Sequence, residues 1–367
     1  MDAHIIEWLN LLLRWMHIIA GIAWIGSSFY FMWLDSHIQP PKENKKDVVG
    51  ELWMVHSGGF YLVEKRLLSP GELPELHWFK WEAALTWISG FFLLSVVYYM
   101  TGGIYLLDPA VSNISVGAAT GIGIGLLIVS LAVYDTIWKS PLGKFPKLTS
   151  AICFLLVVGI AYGLNHIYSG RATFLHIGAM FGTLMAANVW MRILPAQSKM
   201  IEATRKGEKV DYSFGEQAKL RSVHNNYMTF PLLFMMLSNH FPSTYGNQYS
   251  WLVLTGLILA GAGVRHFMNV KNKFSGIVLT ASAATIVALF FMTSPKQTNT
   301  ADASLVNSSD NAVTDKVTFT QAREVITKRC TTCHSAKPTD DIFSVAPVGV
   351  MFDTSEQIKM RIDRIRD

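Results

Sequence analysis

Residues Cys330-Thr331-Thr332-Cys333-His334 place two thiols three positions apart and an imidazole directly after the second. This C-x-x-C-H order is the attachment pattern of a c-type haem. Two thiols at a helix end reach both vinyl groups of one porphyrin, and the next residue offers a ring nitrogen to the iron. The pattern therefore predicts Cys330 and Cys333 as thioether residues and His334 as an axial ligand of a covalent haem c. Competing readings need parts that the chain does not supply. A structural zinc site wants four ligands, yet the other cysteine, Cys153, stands alone in an apolar run. A thioredoxin-like pair wants a βαβ setting, and a Cys330–Cys333 disulfide is strained. Two roles stay open for Met351: thioether ligand on the second face of the iron, or packing against the porphyrin. Met360 is the poorer candidate.

A second set of reactive side chains lies inside apolar sequence. Polar residues in lipid-spanning segments are costly, so each needs a reason. Gly21, Trp24 and Ser28 follow His17 at helical spacing; Met180, Thr183 and Ala187 follow His176. Imidazoles from two helices are how a bundle holds b-type haem. His17 and His176 are the expected pair for such a haem b, and hydrogen-bonded interior histidines are the alternative. His166 and His240 are expected near the same end of the bundle, His224 and His266 toward the other. His224, Asn225, Asn226 and Tyr227 follow Arg221 and precede Pro231. At a helix start these four would bind a flat polar ligand, which makes them catalytic candidates, or would serve as interfacial caps. His56-Ser57-Gly58-Gly59-Phe60-Tyr61 has the look of a functional turn.

The elements that must carry these residues follow from hydropathy. Only 16% of the 367 residues are charged, 51% are apolar, and mean hydropathy is +0.30. Soluble chains carry about 25% charge, so much of this one faces lipid. Eight hydrophobic segments are expected, at 7–34, 82–101, 115–138, 148–168, 172–194, 222–241, 249–270 and 274–293. The first is too long for a signal-peptide core and has no basic residues before it. Basic residues fill alternate loops: 35–81, 139–147, 195–221 and 271–273. The other loops hold one, Arg171. The positive-inside rule then puts the N-terminus and everything after 293 outside. That distribution accounts for the net charge of +5, and no nucleic-acid partner is expected. Part of 35–81 is expected as helix lying on the inner face. Helix three, with Gly117, Gly121, Gly123 and Gly125, suits close helix packing.

Composition changes at Ser294. Residues 294–318 read as a flexible linker, spanning about 25–30 Å as a coil. Residues 319–330 read as a short helix capped by Thr318 or Thr320, with Phe319, Ala322, Val325 and Ile326 as its apolar stripe. The expected fold is all-α: a polytopic membrane bundle of about eight spans over 1–293, the linker 294–318, and a small periplasmic cytochrome c-like module over 319–367.

Arg14-Trp15-Met16-His17-Ile18-Ile19-Ala20-Gly21-Ile22-Ala23-Trp24-Ile25-Gly26 resembles the opening helix of bacterial membrane-bound urate hydroxylases, which are urate oxidases fused to cytochrome c. The stretches His56 to Tyr61, His224 to Pro231 and Cys330 to Asp353 are similar to that family too, so the resemblance covers nearly the whole chain. The first helix also resembles that of membrane haem proteins related to protoporphyrinogen oxidase, which favours His17 as a haem ligand. The resemblance implies hydroxylation of urate to 5-hydroxyisourate in purine breakdown, in the bacterial inner membrane. Electrons would leave through the haem to a respiratory acceptor or a soluble cytochrome. In that family the haem module continues, with a Met-containing loop and a closing helix, beyond the point matching Asp367; a reduced or truncated module is expected here. The competing reading is a quinol-to-haem c electron-transfer protein without purine chemistry. A transporter would show spans broken by Gly and Pro, and these are scarce.

Overall fold

The computed structural model describes residues 3–43, 45–67, 74–108, 111–247, 249–270, 272–294, 318–339 and 350–360. Among the described residues, ten α-helices and one hairpin precede residue 294. Helix α1 covers Ala3–His37. Strands β1 (Val48–His56) and β2 (Gly59–Arg66) follow. Helix α2, Trp81–Leu94, runs into a π-helical turn at Ser95–Tyr99. Next come α3, Val116–Lys139, and α4, Pro146–Asn165. Helix α5, Gly170–Asn188, continues through a second π-helical turn, Val189–Ile193, into α6, Leu194–Lys206. Helices α7 (Ser213–Leu237), α8 (Pro242–Tyr245), α9 (Ser250–Asn269) and α10 (Lys273–Thr293) complete the set. Residues 12–294 group as one compact unit, and residues after 294 group with the first eleven as another.

Among the described residues, seven helical stretches are long and apolar enough to cross a membrane: α1, α2 with its π turn, α3, α4, α5 through α6, α9 and α10. The expected segment at 222–241 is not one of them. It lies in α7, which begins earlier, at Ser213, and carries Glu216, Lys219, Arg221, His224, Asn225 and Asn226 in its first half. That helix packs against α5 and α9. The most buried helix is α5, whose Phe174, His176, Ile177 and Met180 are 0–1% exposed. Tyr168, just before it, donates its hydroxyl to the Ala119 carbonyl at 2.6 Å and ties α4's end to α3. Gly123 alone among the four helix-three glycines makes a close approach: a Cβ there would collide with Tyr99 Oη and lie 3.0 Å from His176 Nε2.

The loop after α1 corrects another expectation: it forms an antiparallel hairpin, not an interfacial helix. Val48, Val49, Val55, Phe60, Tyr61 and Val63 favour strand, and the His56-to-Gly59 string is its turn. Ser57 (φ 50°) and Gly58 (φ 77°) both adopt left-handed backbone, the two-residue loop that matches strand twist. That geometry explains the glycine at 58. At the base, the Lys45 ammonium bonds Glu51 at 3.1 Å and Glu64 at 2.9 Å. The Lys42 backbone N–H and Lys45 hold the Glu51 carboxyl below the usual range. Lys45 and Arg66 do the same for Glu64, and these carboxylates raise Lys45.

In the second unit, α11 covers Phe319–Arg329. Thr318 caps it as expected, bonding the Gln321 N–H while Gln321 bonds back. Ile326 is its buried residue, whereas Val325 is 61% exposed. Helix α12 covers Ser355–Lys359. The expected linker lies, for 295–317, outside the described residues.

Candidate functional site

Four polar side chains expected to act together, His224 to Tyr227, sit mid-helix in α7. Successive residues there turn by about 100°, so each faces a different neighbour. The Tyr134 hydroxyl of α3 donates to His224 Nδ1 at 2.7 Å and accepts from Asn188 Nδ2 of α5 at 3.0 Å. The same Asn188 amide donates to Asn225 Oδ1 at 2.9 Å, and Asn225 Nδ2 donates to the Met185 carbonyl at 3.0 Å. Asn226 Oδ1 accepts from Arg265 Nε at 2.5 Å and Asn269 Nδ2 at 3.2 Å, both on α9. Tyr227 Oη meets His266 Nδ1 at 2.8 Å. The four residues stitch α7 to α3, α5 and α9 rather than converging on one point.

Charges complete this seam. Asp135 of α3 accepts from Arg192 Nε at 2.7 Å and from Arg192 Nη2. It also takes Lys139 Nζ at 2.9 Å and Arg221 Nη2 at 3.4 Å. Arg221 is 6% exposed and lies over the Tyr134 ring, 4.9 Å from its centroid. Trp138 packs on His224 with ring centroids 4.0 Å apart. Arg192 belongs to the π turn after α5, where one extra residue per turn re-aims a side chain. Neither Asp135, Arg192 nor Asn188 was singled out as a partner by spacing, because nothing local in sequence links 135 with 192 and 221.

The expected haem b pair occupies separate environments. His17 Nδ1 contacts the Thr86 carbonyl at 2.9 Å and Ser89 Oγ at 3.3 Å, and its ring lies on Gly90 of α2. With Nδ1–H donated to a carbonyl, Nε2 keeps its lone pair, the tautomer of a metal ligand. His176, fully buried, has both nitrogens engaged: Nδ1 donates to the Ala172 carbonyl at 2.8 Å, and Nε2 accepts from Tyr99 Oη at 3.0 Å. Tyr98, Tyr99 and Tyr168 box its ring, with centroids 4.7 to 5.8 Å away. His17 fits axial ligation. His176 does not as placed, since Tyr99 and the backbone at Gly123 fill the space that an iron needs. His166 and His240 are exposed, with His166 held to the Tyr162 carbonyl at 2.8 Å.

In the second unit Cys330 caps α11, and the two cysteines are not joined in a disulfide. The following turn brings the His334 N–H to the Cys330 carbonyl at 2.8 Å. His334 Nδ1–H donates to the Val350 carbonyl at 2.9 Å. The Phe352 N–H returns to the His334 carbonyl at 2.9 Å, and the two rings stand 5.3 Å apart. Nε2 of His334 is thereby the nitrogen with a free lone pair. This donor set suits a c-type haem. Met351 is half-buried next to Val350, and Met360 is 76% exposed. Residues 340–349, which connect the motif to Met351, lie outside the described set. No group of three His, Cys, Asp or Glu suited to a protein-only metal site occurs among the described residues.

Compared with known proteins, residues 3–294 match a family described as urate oxidase N-terminal. No curated protein and no solved structure matches.

Proposed function

Because the chain belongs to the urate oxidase N-terminal family, we propose that it is a multi-pass membrane oxidoreductase that hydroxylates urate to 5-hydroxyisourate. The family match across 3–294 carries the substrate, and the seven apolar helical stretches support the bilayer. Urate and water give 5-hydroxyisourate, two protons and two electrons, so the reaction needs an electron acceptor. A haem c on Cys330, Cys333 and His334 is a one-electron acceptor. The Val350 carbonyl orients the His334 imidazole for that role. Electrons then pass to a respiratory acceptor or soluble cytochrome. On this reading α7 also crosses the membrane. Its polar flank is turned onto α3, α5 and α9; an eighth crossing would put the N-terminus and the haem module on one face, and the basic loops favour the periplasmic one.

The test is a difference spectrum of the purified, haem-loaded chain. Urate should reduce the haem while the purine absorbance falls. An intact haem spectrum that urate leaves unchanged would sink the reading, and reduction by a quinol without purine would replace it with the electron-transfer alternative. Replacing Cys330 or Cys333 with Ser should remove two-thioether haem on a denaturing gel.

A further inference from the structure

The hairpin after α1 has two unlike faces. Alternate side chains of a strand point to opposite faces. The register pairs Trp53 with Leu62 and Val55 with Phe60, so these four share one face with Glu51 and Glu64. Gly50, Met54 and Lys65 lie on the other face, and each meets the end of α1. A Cβ at Gly50 would lie 2.9 Å from Ile38 Cγ2. The Lys65 ammonium bonds the Asp35 carboxylate at 2.8 Å. The Tyr30 hydroxyl donates to Met54 Sδ at 3.6 Å.

These contacts fix a direction. From Gly50 to Met54 the strand advances about 13 Å. From Ile38 back to Tyr30 the helix recedes about 12 Å. The hairpin therefore folds back along the last turns of α1, antiparallel to the helix. Its turn, two residues beyond Met54, reaches about 7 Å further. Helix α1 is one of the stretches apolar enough to cross a membrane. Tyr30 and Trp33, both exposed near its end, are the residue types that mark a membrane boundary.

Charge follows the same axis. Lys45, Glu51, Glu64, Lys65 and Arg66 pair at the hairpin base, where Lys65 meets Asp35. Residues 52–63 contain no Asp, Glu, Lys or Arg. Nothing in the chain covers their outer face: Trp53 is 62%, Val55 69% and Phe60 82% exposed. At the tip, Ser57 Oγ and His56 Nδ1 bond each other at 2.9 Å. An exposed apolar patch marks a contact with protein or membrane. The direction selects the membrane, because charge stops where the strands pass Asp35 toward the apolar length of α1. Among the described residues the sheet has two strands, so each keeps an outer edge. Unpaired backbone is not tolerated in the hydrocarbon centre, which limits the hairpin to the interfacial depth.

We propose that residues 52–63 form an interfacial anchor, with Trp53, Val55, Phe60 and Leu62 seated among the headgroups and upper acyl chains of the leaflet where α1 ends. Amphipathic segments bind there through buried apolar area. The inference rests on the bilayer part of the proposed function and not on urate.

The experiment is photolabelling of the wild-type full-length chain in phosphatidylcholine vesicles that contain a phosphatidylcholine with a diazirine on its acyl chain. Adducts are located residue by residue by mass spectrometry. Adducts should appear within 52–63 and on the exposed Phe290 and Phe291 of α10, the lipid reference, and not at Lys42 or Lys46 beside the hairpin base. Labelled α10 with an unlabelled hairpin overturns the anchor and leaves the bilayer standing; water or a second protein then covers that face. An unlabelled α10 removes the bilayer and the anchor together. A Val55→Asp, Phe60→Asp double variant should lower hairpin labelling several-fold and leave α10 labelling unchanged. Wild-type hairpin labelling in that variant refutes the assignment to this face.

Discussion

Two polar clusters in the same bundle are built on opposite principles. Around Asp135, Arg192 and Arg221 bring their charges to one carboxylate, and Tyr134, Asn188, His224 and Asn225 pass hydrogen bonds in a chain. Around Arg171, no carboxylate of the described residues pairs with the guanidinium, which lies over the Tyr105 ring instead. In the first cluster the Asp135 carboxylate gathers the cations and the Tyr134–Asn188–Asn225 chain is closed by protein, which positions helices, while buried Arg221 Nη1 and Trp138 Nε1 make no hydrogen bond. The contrast teaches that a shared carboxylate, not the length of a polar string, decides which cluster ties helices together.

The largest effect should come from Asp135→Asn. It leaves buried Arg221 and half-buried Arg192 without their carboxylate. Losing one side of a buried pair costs about 3–5 kcal/mol; with Asp135 partly exposed, about 2–3 kcal/mol is expected. A clear fall in the thermal midpoint in detergent should follow. Arg171→Gln, which removes a ring contact but no ion pair among the described residues, should keep the midpoint close to wild type. If both variants lose stability alike, the division of labour is wrong.

Tyr134→Phe comes next. It removes the donor to His224 and the acceptor for Asn188, a loss of about 1–3 kcal/mol. The unfolding midpoint should shift less than in Asp135→Asn, and a wild-type midpoint would show that the chain of bonds is not structural. The smallest effect belongs to the hairpin base, an ion network in water. The Glu51 and Glu64 pKa values are depressed there. Their contribution is therefore present above the ordinary carboxylate range and is lost as pH falls through the lowered values. A nitroxide at Ser57→Cys should gain mobility only in acid. Loosening near neutral pH would contradict the assignment.

Some of this was legible in the chain itself. The C-x-x-C-H string carries its geometry within five residues, because its partners are neighbours on one helix end. The Thr318 cap and most apolar segments were legible for the same reason: each is set by contacts within a few residues. The hairpin at 48–66 was misread as helix because a long polar loop masked its alternation, although Ser57-Gly58 was a usable turn signal. The fate of His224 to Tyr227 was not legible. Adjacent residues look like one site in a string, and only the helical turn angle together with the identity of the neighbouring helices sends them to three partners. The partnership of Asp135 with Arg192 and Arg221 and the two hydrogen bonds that occupy the His176 nitrogens are likewise decisions of tertiary packing. Each depends on which helices meet and on two π turns that re-aim their residues, and neither is encoded by local spacing.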